Sequence, residues 1–190
     1  MNKNNIPALP FYFIRHGETD WNLEHKIMGN TDVELNSTGI DQSYRSAYVL
    51  ANIEISKVYC SSLQRAYQTG KIISAVCEIE IEAMNQLKER SWGSLEGKDY
   101  NNNISCLSND NLPNDGEEYI NFENRIIEGT RKVLLSNYGY PIIVSHSGVF
   151  KVLAKLLADN YDIRCPNCKI FFFSPPALDN KWDITPVEVE

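Results

Sequence analysis

Phe11-Tyr12-Phe13-Ile14-Arg15-His16-Gly17 is a short apolar run that stops abruptly at an arginine, a histidine and a glycine. A run this short and this aromatic reads as a buried strand over Phe11–Arg15. Pro141-Ile142-Ile143-Val144-Ser145-His146-Ser147-Gly148 repeats the pattern, with a strand over Pro141–Ser145 and a tight connection into a helix over Val149–Leu157. Working outward, Leu35–Gly39 leads into a helix whose apolar face is predicted as Ile40, Tyr44, Ala47, Tyr48 and Ala51. Lys57–Cys60 reads as a strand, with Ser61 and Ser62 as candidate N-caps of a helix running to about Val76. Glu78–Ala83 and Met84–Leu87 have strand character, and Lys169–Ser174 is a late buried strand. A further helix carries Phe122, Ile126, Thr130, Val133 and Leu134 on one side. Strands alternating with helices predict an α/β fold, a three-layer sandwich with a mostly parallel central sheet flanked by helices.

The chain has 190 residues, which predicts one domain over residues 1–190. The segment Gly97–Asp115, rich in Asn, Ser and Asp and without apolar period, is expected to be a polar loop or short insertion over the active site. Hydrophobic residues make up 43% and charged residues 23%, which excludes disordered and fibrous classes. At this length roughly 70% of the unfolded surface is buried on folding, so the core needs no staple. Eighteen basic residues against 25 acidic give a net charge of −7. Nucleic acid and anionic membrane are therefore not expected as partners, and any anion site is a local exception. Five cysteines without secretory context fit free thiols, and Pro7 and Pro10 interrupt the apolar start, so a cytoplasmic protein is expected.

Two of the three histidines, His16 and His146, follow strands. Ligands of open α/β sheets bind beyond the carboxyl ends of the strands, so the two can converge on one pocket; each alone also reads as a hydrogen-bonded structural histidine. Arg15 adjoins His16, and Arg65 lies just past the strand Lys57–Cys60. Their planar, always-charged forks suit phosphate oxygens, although Arg65 equally reads as a surface partner for an acid. His25 has no second histidine at ligand spacing. Cys165-Pro166-Asn167-Cys168 lacks the second pair that a zinc site needs and leads into a strand rather than a helix, so structural thiols are expected and no metal.

The ordered set Arg15-His16-Gly17-Glu18-Thr19 with Trp21-Asn22, Gly29 and Asp32, Leu35 with Gly39, Ser61 through Thr69, Leu87-Lys88-Glu89 with Trp92-Gly93, Gly116-Glu117 and Val144 through Gly148 resembles the histidine phosphatase superfamily, its phosphatase branch. The resemblance implies a phosphomonoesterase acting on a small phosphorylated metabolite, with no cofactor. It implies His16 as the nucleophile that becomes phosphohistidine, neutral at the attacking nitrogen while the other donates to a backbone carbonyl. Arg15, Arg65 and His146 would bind the equatorial oxygens of the phosphoryl group, joined by the Asn22 amide and the Ser147 N–H, with His146 working best protonated beside the phosphate. Glu89 would be the general acid and then the base for water, with Leu87 and Trp92 as its walls and Glu96 and Glu18 as competitors.

Departures from the family pattern fall at Met28, Glu34, Ser147 and Glu118, which bear on substrate choice rather than on phosphoryl transfer. A phosphoglycerate mutase of the same fold is the alternative. It calls for extra cations beside the pocket, of which Gly97–Asp115 offers only Lys98. A non-catalytic phosphate-binding domain is a third reading. The substrate and the oligomeric state stay open.

Overall fold

A computed structural model describes residues 6–103, 112–136, 139–160, 162–176 and 182–187. Its centre is a six-stranded sheet in the order β3-β2-β4-β1-β5-β6, with β1 Phe11–Arg15, β2 Val58–Ser61, β3 Ile81–Met84, β4 Ile142–Ser145, β5 Ile170–Ser174 and β6 Asp183–Pro186. Strands β1 to β4 run parallel, β5 is antiparallel to β1, and β6 is antiparallel to β5. The sheet is therefore mixed and mostly parallel, and the carboxyl ends of β1, β2, β3 and β4 share one edge.

Because side chains alternate along a strand, each central strand feeds two cores. Phe11, Phe13, Tyr59, Ile143, Phe171 and Phe173 face the helices α5 (Tyr119–Leu135) and α6 (Ser147–Ala158). Ile14, Val58, Cys60, Ile142, Val144 and Ile170 face α2 (Ser37–Leu50) and α3 (Gln64–Cys77). Helix, sheet and helix make three layers, as expected. The predicted stripe of α5 is buried as read, from Phe122 through Leu134.

The face of α2 is a correction. Ile40, Tyr44 and Tyr48 are exposed, and the buried positions are Gly39, Ser43, Ser46, Ala47 and Leu50. Small residues let α2 come close. Ser43 Oγ donates to Gly39 O at 2.7 Å, and Ser46 Oγ donates to Cys168 O at 2.8 Å. A Cβ on Gly17 would overlap the Gly39 carbonyl, so the backbone after β1 lies directly against the start of α2.

Other boundaries shift as well. Leu63, not Ser61 or Ser62, is the N-cap of α3, and Ser61 Oγ accepts instead from Leu63 N. Beyond β3, Asn85–Leu87 form a 3-10 turn rather than a strand. The short helix α1 (Asp20–Leu23) and strand β6 are additions to the elements expected from the sequence. Of the segment read as a polar loop, residues 104–111, with Cys106, lie outside the described residues. Its start is ordered on the 25–27 loop: Ile27 N donates to Lys98 O at 2.9 Å, Gly97 N to Ile27 O at 2.8 Å, and Tyr100 N to His25 O at 2.7 Å. A one-turn helix α4 (Tyr100–Asn103) follows. Among the described residues no helix is long and apolar enough to cross a membrane.

Candidate active site

The shared carboxyl edge of the sheet opens into a cleft of about 830 Å³. Residues just past the ends of β1, β2, β3 and β4 build its floor. His16 lines the cleft, and His146, wholly buried and not among the lining residues, sits beside it with ring centroids 5.2 Å apart, since β1 and β4 are neighbours and His16 N donates to Ser145 O at 2.9 Å.

His16 is almost fully buried, with Nδ1 2.7 Å from the carbonyl of Gly17. A carbonyl only accepts, so Nδ1 carries the proton and Nε2 keeps its lone pair. Burial, Arg65 and Arg15 push its pKa well below the ordinary histidine value, so the ring is neutral at pH 7. His146 is also neutral in the protein by itself, pushed down by burial, Arg65 and the His16 ring. Its Nε2 lies 2.8 Å from Ser61 Oγ, which already accepts from Leu63 N. His146 Nδ1 is buried and without a hydrogen-bond partner.

Arg65 is wholly buried. Nη1 donates to Thr31 O at 2.9 Å and Nη2 to Gly29 O at 2.8 Å, while Nε is left without a partner. Burial pushes Arg65 down to about 10, still cationic at neutral pH. Arg15 Nη1 donates to Cys165 O at 3.1 Å, and its Nε too is buried and unpartnered. Among the described residues five buried side-chain polar atoms have no partner, and Arg15 Nε, Arg65 Nε and His146 Nδ1 all belong to this one cluster. An unpaired buried donor costs about 1–3 kcal/mol.

Glu89 reaches the cleft from beyond β3. Its Oε2 accepts from Gly148 N at 3.0 Å and its Oε1 from Arg90 N at 2.9 Å, and it interacts electrostatically with both Arg15 and Arg65. A Cβ on Gly148 would overlap the Glu89 carboxylate, so glycine is what admits it. Asn22 lines the cleft with its Oδ1 taken by Thr19 N at 3.1 Å and Asn167 Nδ2 at 3.3 Å, an arrangement that leaves the amide hydrogens as its face toward a ligand. Ser147, the first residue of α6, lines the same wall. Of the site residues read from the sequence, Arg15, His16, Asn22, Arg65, Glu89 and Ser147 thus line one cleft, and His146 is buried beside His16.

The competitors of Glu89 have other work. Glu96 accepts from Asn30 N, Thr31 N, Thr31 Oγ1 and Trp92 N at 2.6–3.0 Å, and so fixes the loop whose carbonyls hold Arg65. Glu18 accepts from Asn36 Nδ2 at 3.1 Å. The turn Cys165–Cys168 acts through its backbone and Asn167: Cys165 O holds Arg15, Cys168 N donates to Arg15 O at 3.0 Å, and Asn167 Nδ2 donates to His16 O at 2.9 Å. Both thiols are unbridged, and burial pushes Cys165 up to about 12 and Cys168 up to about 11. Among the described residues no group of three or more His, Cys, Asp or Glu is placed to share a metal ion.

Sequence reasoning missed the outer half of the cleft. Beyond Arg15, Arg65 and Lys26, the cations that line the cleft are Arg90, Lys151 and Lys155, none of them from Gly97–Asp115. Arg90 lies 4.5 Å over the Trp92 ring and 5.7 Å from that of Tyr119, and Lys155 lies 4.9 Å over the Tyr119 ring and 4.0 Å from Glu123. Lys151 and Lys155 stand one helical turn apart after His146, a spacing that could have placed them on the wall. His25, which lacks a partner at metal-ligand spacing, and Met28 also line the cleft.

The model of the histidine phosphatase superfamily (branch 1) matches residues 11–171. Phosphoglycerate mutase-like protein 4 of Arabidopsis thaliana is 34% identical over 154 residues, covering 74% of this chain and 67% of its own length. The uncharacterized phosphatase PhoE of Bacillus subtilis is 33% identical over 144 residues, covering 74% of this chain and 72% of its own. Among solved structures, Bacillus stearothermophilus YhfR superposes with a TM-score of 0.81 at 22% identity, covering 93% of this chain and 95% of that one, a likeness of fold.

Proposed function

The chain belongs to the histidine phosphatase superfamily, and on that premise we propose that it hydrolyses a small phosphate monoester through a phosphohistidine on His16. The observation that carries this reading is the trio of buried nitrogens without partners, Arg15 Nε, Arg65 Nε and His146 Nδ1, in the same cluster as a neutral histidine whose free nitrogen is Nε2. His16 Nε2 attacks phosphorus, and the bond from phosphorus to the ester oxygen breaks. The leaving oxygen takes the proton of the Glu89 carboxyl group and departs as the alcohol. Water then attacks the phosphoryl group while Glu89 takes its proton. The P–N bond breaks, its electron pair returns to Nε2, and inorganic phosphate leaves. Arg15, Arg65, His146, Asn22 and the Ser147 N–H stabilise the equatorial oxygens, where charge resides in a loose transition state. The phosphate dianion supplies the opposite charge that protonation of His146 requires. No step calls for a metal or cofactor.

The outer wall of Arg90, Lys151 and Lys155 favours a leaving alcohol that itself bears an acidic group. The same wall supports a second reading, a mutase that holds a doubly phosphorylated intermediate. Phosphate release from a panel of phosphoglycerates, sugar phosphates, a nucleoside phosphate and an aryl phosphate, run with chelator and checked for positional isomers, separates the two. Release that disappears in His16→Ala supports hydrolysis. Isomerisation without release supports the mutase, and release that survives His16→Ala refutes both. Binding of phosphate with no turnover of any ester would leave a non-catalytic phosphate-binding domain.

A further inference from the structure

Glu89 sits on a segment without regular secondary structure after the turn Asn85–Leu87, yet a general acid has to be held within about 0.5 Å of its productive position. The structure shows what holds it. Arg125, on α5, has five N–H donors, and all five are used. Nη1 donates to Gln86 O at 3.0 Å and to Lys88 O at 2.6 Å, and Nη2 donates to Glu89 O at 2.7 Å. The remaining two form a fork onto Glu117, Nε to Oε1 at 2.7 Å and Nη2 to Oε2 at 2.8 Å. The one carbonyl of this run that Arg125 does not take, that of Leu87, accepts from Ser145 Oγ at 2.7 Å. Glu117 in turn clasps the far side of the acid. Its N donates to Ser91 O at 2.9 Å, its Oε2 accepts from Ser91 N at 3.3 Å, and its carbonyl accepts from Arg90 Nε at 2.8 Å. Every backbone carbonyl from Gln86 to Glu89 is therefore fixed by a side chain. Neither Arg125 nor Glu117 lines the cleft.

We propose that the Arg125–Glu117 pair is a positioning device for the general acid, setting the backbone from which the Glu89 carboxyl group reaches the leaving oxygen. This rests on the reading of Glu89 as the acid. The pair is about four-fifths buried, and a lysine at 125 keeps the charge but not the planar fork that spans one carboxylate and three carbonyls. Displacing the Glu89 backbone impairs protonation of the leaving group while leaving the phosphate cradle intact.

The test compares kcat/KM, which reports transfer to His16, on an alkyl phosphate and on p-nitrophenyl phosphate, whose leaving group needs little protonation. Glu89→Gln, Arg125→Lys and Glu117→Gln are measured beside the wild type, each with a thermal midpoint. Arg125→Lys is expected to lose about 100-fold on the alkyl ester and less than about 10-fold on the aryl ester, the pattern of a lost acid. Glu117→Gln, which keeps every carbonyl contact of Arg125, is expected to lose less in the same sense, and it carries the test if Arg125→Lys fails to fold. Equal losses on both esters, or none on either, overturn the proposal, the first because the pair then only supports the fold. If Glu89→Gln itself shows no preference between esters, the acid assignment falls. If it does and the pair variants do not, only the positioning role falls.

Discussion

Replacing Arg65 by lysine keeps its charge and removes its shape, and the cost comes from the contacts. Arg65 is wholly buried, with Nη1 on Thr31 O and Nη2 on Gly29 O. A single ammonium cannot take over both carbonyl contacts and also stand in for Nε, which is buried without a partner. One buried carbonyl left without a donor costs about 1–3 kcal/mol of stability. Against a total of about 5–15 kcal/mol the variant still folds. Loss of one oriented donor to the transferring phosphoryl group costs about 10²–10³-fold in turnover. Phosphate release on one ester should therefore fall by about that factor, and the urea unfolding free energy should fall by about 1–3 kcal/mol. Turnover within about threefold of wild type would refute the reasoning, because charge alone would then suffice at a position assigned to a fork.

The two buried histidines set the acid limit of stability. Both have folded pKa values well below the unfolded value of about 6.5, so below that pH the unfolded chain takes up protons that the folded chain refuses. Stability should be flat above about pH 6.5 and fall by up to about 1.4 kcal/mol per pH unit per histidine below it. His146→Gln should roughly halve that slope in urea titrations, and an unchanged slope would contradict the assignment. Gly148→Ala places a methyl group where the Glu89 carboxylate lies. Alkyl ester turnover should fall more than aryl turnover while the thermal midpoint holds or rises, since alanine favours the helix by about 1 kcal/mol. Glu96→Ala leaves without an acceptor three donors of the loop that carries Gly29 and Thr31, together with Trp92 N, and should cost about 3 kcal/mol or more in urea unfolding. A loss under about 1 kcal/mol would show that the loop holds Arg65 without it.

The parts of this molecule that are legible in its sequence are those where periodicity and local chemistry agree. Buried strands that end just before His16 and His146 need only a short apolar run and a glycine to be read, and the stripe of α5 needs only helical spacing. The face of α2 misleads because apolarity there does not mean burial. Ser43 and Ser46 go inside on hydrogen bonds, and the tyrosines stay out because only small side chains fit the close contact. Arg125 carries no signal in the sequence and Glu117 only that of the Gly116-Glu117 motif, since nothing in a local window shows that one guanidinium will fork onto Glu117 and hold three carbonyls of a distant segment. Cys165-Pro166-Asn167-Cys168 draws attention through its thiols, while its backbone and its asparagine are what touch Arg15 and His16. Strand β6 includes Pro186 and lies at the edge of the sheet, where a residue without an N–H is tolerated and the strand signal is weak.

The central claim is that the Nε2 atom of His16 takes the phosphoryl group. The Glu89→Gln protein mixed with p-nitrophenyl phosphate offers the most direct view, because transfer to the histidine needs little acid there while hydrolysis of the intermediate still needs the base. Quenching at alkaline pH and mapping the peptides by mass spectrometry should find an acid-labile phosphoryl group on His16, absent when His16→Ala is added. A phosphoryl group on any other residue, or nitrophenol released in a burst with His16 unmodified, would contradict the account.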